Sequence, residues 1–208
     1  MENAHLILDY IKVLVWPSII LFILLRYRGH LGALIPRIKS LSTPAGSIEF
    51  GEEARVLLDQ ASAVTNMTVP VRIRRGALRR LEHSAGVLES GTLLWVDDNP
   101  QHNTALIELF RAVGMDVDTA QSTDEALLRL RRRSYDIIIS DIGRDDDNQA
   151  GIAILRTLEE LSIDTPVVLY TFGFDYERGF PARAFAVTEI PDEVVHYVID
   201  LMERAKFS

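Results

Sequence analysis

The adjacent pair Asp97 and Asp98, the single Asp141 and Thr171 have the types and placement that chemistry needs. Each follows a short apolar run, TLLWV, YDIIIS or TPVVLY, so each falls where a buried strand runs out. In an open parallel sheet the ligand crevice lies beyond the C-terminal strand ends, and side chains ending neighbouring strands meet there. Carboxylates gathered at one rim repel one another unless a cation sits among them. An all-oxygen donor set with room for water suits Mg²⁺, and a hydroxyl at the neighbouring strand end can bond a phosphoryl oxygen. Taken singly, Asp98-Asn99-Pro100 is also a helix cap, Asp141 a turn residue and Thr171 an ordinary strand residue. That all of them end strands together favours a site.

The elements needed to position these side chains are legible from Thr92 onward. Apolar strand runs alternate with helical patterns through TLLWV, MDVDTA, YDIIIS, TPVVLYT and AFAVT, with a short helix expected between the fourth and fifth. Five strand-helix units with continuous apolar strands predict a parallel sheet covered by helices on both faces, a doubly wound α/β fold. Ser122-Thr123-Asp124-Glu125 reads as the capping start of a helix, and the run Arg131-Arg132-Arg133 suits a helix C-terminus. A closing helix is expected over Val194 to Ala205.

The chain has 208 residues, 48% of them apolar and 25% charged, and no cysteine. Disulfides, thiolate metal sites and cysteine nucleophiles are therefore excluded. The five histidines are scattered, with no pair at metal-ligand spacing, and no Walker, GxGxxG, GxSxG or HExxH motif occurs. Charge is asymmetric: residues 1–91 hold 11 Lys+Arg against 8 Asp+Glu, and the remainder 11 against 22. So acidic a C-terminal half speaks against phosphate-backbone binding there, and no nucleic-acid partner is expected.

At the other end, Leu6 to Leu25 is 20 residues long, predominantly apolar, and uncharged apart from Asp9 and Lys12. As a helix it would span about 30 Å, a bilayer's hydrocarbon thickness. Arg26, Arg28, Arg37 and Lys39 follow it. The positive-inside rule then predicts a single-pass anchor in the inner (cytoplasmic) membrane with the C-terminal domain in the cytosol. The expected organisation is an anchor at 1–30, a juxtamembrane helical linker at 31–91, and the α/β domain at 92–208. Within the linker, Pro44-Ala-Gly-Ser reads as a turn before a brief strand at Ser47 to Phe50. A helix from Glu52 to Met67 carries the apolar stripe Ala54, Val56, Leu57, Leu58, Ala61 and Val64, and another helix covers Gly76 to Leu88. The stripe suggests possible homo-oligomerisation through residues 52–90. Arg72, Arg74, Arg75, Arg79 and Arg80 suit either anionic lipid headgroups or a salt-bridged face toward the acidic domain.

The stretches LLWVDDNP, YDIIISD and TPVVLYT resemble the first, third and fourth strands of the receiver domain of two-component response regulators, over roughly residues 92–206. The resemblance implies a flavodoxin-like five-stranded sheet of order 2-1-3-4-5. It implies that Asp97 and Asp98 help bind Mg²⁺, with Asp98 and Asp141 as direct ligands and the Gly143 carbonyl as another. It also implies that Asp141 accepts a phosphoryl group and that Thr171 is the switch hydroxyl. Expected partners are a histidine kinase or other phosphodonor and a downstream protein; the module is not itself an enzyme. Departures make it an atypical member. The lysine that such domains carry before a proline at the fifth strand end is replaced by Thr188, Glu189 or Ile190, depending on alignment, and Phe172 follows Thr171 where a small residue is usual. The loop GRDDDNQAG after Asp141 is long and holds Arg144, Asp145, Asp146 and Asp147. These departures suit the alternative of a phosphorylation-independent pseudo-receiver acting as a protein-interaction module.

Overall fold

The computed structural model describes residues 44–143, 150–174 and 179–207. Among these, no helix is long and apolar enough to cross a membrane. The expected anchor Leu6–Leu25, its basic flank Arg26, Arg28, Arg37 and Lys39, and the loop residues Arg144 to Asp147 lie outside them. The chain divides after Gly46, and the larger unit, Ser47–Ser208, is a sheet with helices on both faces.

Two helices precede the sheet: α1, Pro44–Val64, and α2, Val71–Leu88. The brief strand expected at Ser47 to Phe50 is instead part of α1. Proline at the first helical position has its φ already set for the helix and no N–H to lose, so Pro44 starts α1 where the sequence suggested a turn. The helix stops at Asn66, whose φ of 51° is left-handed, while Met67 N–H donates back to the Ser62 carbonyl at 3.1 Å. That stop comes earlier than the expected Met67, and α2 begins at Val71 rather than Gly76.

The sheet comprises β1 (Thr92–Val96), β2 (Asp116–Ala120), β3 (Ile137–Ser140), β4 (Val167–Tyr170) and β5 (Ala184–Thr188). All pair in parallel in the order 2-1-3-4-5, as expected. The intervening helices are α3 (Thr104–Ala112), α4 (Thr123–Leu130), α5 (Ala150–Glu160) and α6 (Pro191–Phe207). No helix occurs in the described part of the β4–β5 connection. The capping expectation at α4 holds: Ser122 Oγ accepts from Glu125 N–H, and the Glu125 carboxylate accepts from Gln121 N–H.

Period-two alternation splits the strand side chains into two cores. Leu94, Val96, Ile138, Val167 and Leu169 pack with α4 and α5 on one face. Leu93, Trp95, Ile137, Ile139, Val168 and Tyr170 pack with α3 and α6 on the other. This second core extends into α1 and α2 through Leu57, Leu58, Ala61, Ala77, Leu81 and Leu88. Much of the stripe read as a self-association surface is thus buried within the chain, although Val56 and Val64 stay exposed.

Charge fixes the same contact. Arg74 reaches from α2 to the fully buried Asp192 at the start of α6, with Nε donating at 2.7 Å and Nη2 at 3.2 Å, and it also bonds Asp59 and Ser62 of α1. Arg80 bonds Asp200 at 2.7 Å, and Ser84 bonds Glu203 at 3.0 Å. A buried carboxylate is tolerated only when paired and hydrogen-bonded, and Asp192 also sits in the first turn of α6, where the helix dipole favours negative charge. Arg74 and Arg80 therefore follow the salt-bridged reading.

Candidate functional site

The register of β1, β3 and β4 sets the site. Val96 pairs with Ser140, Ser140 with Leu169 and Tyr170 with Thr188, so Asp97, Asp141 and Thr171 follow at adjacent strand ends on one rim. Backbone bonds carry the ladder one step further: Asp97 N–H to Ala120 O at 2.9 Å, Asp141 N–H to Val96 O at 3.0 Å and Thr171 N–H to Thr188 O at 3.1 Å. Each side chain therefore leaves from backbone that is still held by the sheet.

Asp97, Asp98 and Asp141 each present a carboxylate oxygen, and the three oxygens lie within 4.8 Å of one another. Asp97 is buried, with its Oδ1 accepting from Asn99 N–H at 2.7 Å and its Oδ2 from the Asn103 side-chain amide. Burial holds its carboxyl above the ordinary carboxylate range, and the neighbouring Asp98 adds to the effect. Asp141 is likewise pushed up, first by burial and then by Asp97. The Thr171 hydroxyl and the N–H groups of Ile142 and Gly143 act against that rise by donating to its carboxylate. Small hard cations take oxygen ligands at about 2 Å, so modest side-chain movement lets all three carboxylates meet one ion. Proton uptake and cation binding are the two ways to relieve such a rim.

The sequence-derived residues Asp97, Asp98, Asp141 and Thr171 thus converge, and Gly143 is adjacent. The glycine there has no steric necessity, since an added Cβ would meet nothing within 4 Å. Two supporting residues escaped the sequence reading. Asn103, buried at the start of α3, orients Asp97; only its spacing of six from Asp97 hinted at it. Gly151 is the other. A Cβ on it would lie 2.3 Å from the Asp141 carbonyl oxygen and 2.5 Å from Ile142 Cα, and its N–H bonds the Ile142 carbonyl at 2.9 Å.

The fifth strand end brings no cation to the rim. Thr188 donates to Glu193 Oε2 at 2.6 Å and accepts from Ile190 N–H at 3.0 Å, while Glu189 accepts from Phe174 N–H at 3.0 Å. The position is used to tie the β4 and β5 loops together. Phe172, half exposed, stacks edge-on against Tyr170 with ring centroids 5.6 Å apart instead of filling the rim.

Residues 93–181 match the family model of the response regulator receiver domain. The transcriptional regulatory protein ZraR of Escherichia coli O157:H7 is 34% identical over 90 residues, covering 43% of this chain and 20% of that protein. The chain therefore spans about a fifth of the length of the curated relatives it matches. Among solved structures, a receiver domain of a Francisella response regulator is 24% identical with a TM-score of 0.50, covering 56% of this chain and 99% of that one. A two-component response regulator of Clostridium difficile is 17% identical with a TM-score of 0.50, covering 57% and 100%. These two likenesses establish the fold.

Proposed function

We propose that the response regulator receiver domain carried by this chain is a phosphoacceptor that takes a phosphoryl group on Asp141 in a two-component phosphorelay. The observation that carries this reading is the convergence of Asp97, Asp98 and Asp141 within 4.8 Å at the rim where Thr171 also stands. Asp98 and Asp141 would hold Mg²⁺ directly, with Asp97 and the Gly143 carbonyl completing its surroundings. When bound, the ion neutralises phosphoryl charge and the mutual repulsion of the carboxylates. An Asp141 oxygen forms the new bond to phosphorus as the P–N bond to a kinase histidine, or the P–O bond to a small acyl phosphate, breaks. The leaving group keeps the electron pair: the histidine nitrogen takes a proton from water, and the carboxylate of the acyl phosphate leaves as the anion. The Thr171 hydroxyl, already bonded to Asp141, is placed to follow a phosphoryl oxygen once the acyl phosphate exists.

Tethering by Leu6–Leu25 would hold this module at the inner membrane, with a downstream protein reading the change. The second reading, a phosphorylation-independent pseudo-receiver, draws on Glu189 and Thr188 occupying the usual lysine position with partners of their own. The purified chain, incubated with Mg²⁺ and acetyl phosphate, should form a base-labile phosphoryl adduct that Asp141→Asn abolishes. Absence of any adduct in the wild type, with no Mg²⁺-dependent rise in stability, selects the pseudo-receiver.

A further inference from the structure

Pairing divides the arginine cluster of α2 into two sets. Arg74 and Arg80 are consumed by α1 and α6. Arg72, Arg75 and Arg79 are exposed and make no ion pair among the described residues. Their spacing of three and seven places them within about 60° of one another around the helix, opposite the face that buries Ala77, Leu81, Ser84 and Leu88. At the same end of α2, the corner with α1 exposes two large apolar side chains, Val64 at 51% and Val71 at 70%. The headgroup boundary of an anionic bilayer accepts both guanidinium groups and exposed apolar side chains.

We propose that the α1–α2 corner and the Arg72, Arg75, Arg79 stripe form a docking surface for an anionic lipid bilayer, fixing how the domain lies against the membrane. The occupant is a bilayer and not a nucleic acid because a phosphodiester backbone offers no place for Val64 and Val71. This goes beyond phosphoacceptor chemistry and does not depend on it. It draws on the tether reading only to bring the bilayer within reach.

The chain's lack of cysteine permits a clean test. Thr68, exposed in the corner, is replaced in the full chain by cysteine and labelled with an environment-sensitive fluorophore. The protein is then reconstituted in vesicles of phosphatidylcholine alone, or with phosphatidylglycerol at about a 2:1 ratio. The expected result is a blue shift and quenching by a lipid-borne quencher in the anionic vesicles only, reversed by high salt. Arg72→Gln/Arg75→Gln/Arg79→Gln should lower the ratio of docked to undocked domain on the order of a hundredfold. Because these side chains are exposed and make no ion pair among the described residues, its circular dichroism should match wild type. A probe signal that ignores lipid charge, or is untouched in the triple variant, overturns the proposal. So does a saturable shift with duplex DNA in the absence of any response to vesicles. Retention on carbonate-washed neutral vesicles reports the tether separately: if retention fails while the anionic-vesicle shift persists, the tether is lost and the docking surface stands.

Discussion

Gly151 shows how a residue without functional atoms can govern chemistry. It occupies the second position of α5, where the helix passes so close to the Asp141–Ile142 backbone that a single methyl group would overlap it. The obstructing atoms are main chain, so no side-chain rotation gives relief and the strand end carrying Asp141 must move. Gly151→Ala should therefore cost about 1–3 kcal/mol in urea unfolding, the range for overpacking. It should also shrink the Mg²⁺-dependent increment in stability, because the three carboxylates no longer share one centre. An alanine variant with the full Mg²⁺ increment would show that the rim does not depend on this approach. The aspartates were readable in sequence since a polar residue ending an apolar run stands out. Gly151 was not, because its demand comes from two backbone segments that only the tertiary fold brings together.

At the scale of elements, the contact between α2 and α6 contains a titratable group. His196, partly buried on α6, has its ring near Gly76 and an Nδ1 3.3 Å from Arg80 Nη1. Burial is the main cause that lowers its pKa. Arg80 lowers it further, while Asp200, Asp192 and Glu193 pull in the opposite direction. A histidine depressed in the folded state binds fewer protons there than in the unfolded chain, so stability rises with pH across the interval between the two values. The contact is fully supported above the ordinary histidine value of about 6.5 and weakens as the pH falls below it. Denaturant midpoints measured from pH 8 to about pH 5 should decline more for the wild type than for His196→Gln, and equal slopes would remove His196 as the cause. The strands of the sheet were legible as continuous apolar runs. The ends of α1 and α2 were less so, because Pro44 is compatible with both a turn and a helix start, and Asn66 stops a helix only through a backbone conformation that its neighbours permit.

The whole molecule is larger than the receiver fold that the family model matches. Leu58, Leu81 and Leu88 are fully buried in the core that also holds Trp95 and Val198, so α1 and α2 contribute to the domain's own stability. Burying a leucine stabilises by roughly 1.5–3 kcal/mol. A fragment starting at Thr92 should accordingly unfold at lower urea than one starting at Ser47, by on the order of 5 kcal/mol. Coincident transitions would mean that the two helices merely rest on the domain. No local pattern announces this association: the sequence shows an amphipathic stripe on each helix but not which surface covers it, and the Arg74–Asp192 pair joins positions 118 residues apart.

That separation sets the order of events during synthesis. The partner of α2 is the last helix of the described chain, so Leu81 and Leu88 emerge from the ribosome long before α6 exists to cover them. At about 5–20 residues per second, they wait on the order of ten seconds. During that interval the nascent chain displays an apolar helical face beside a run of arginines, and only α6 closes both that face and the adjoining side of the sheet. Such long-range closure makes the final assembly slow relative to the helices themselves, and it leaves time for a chaperone or a membrane surface to engage α2 first.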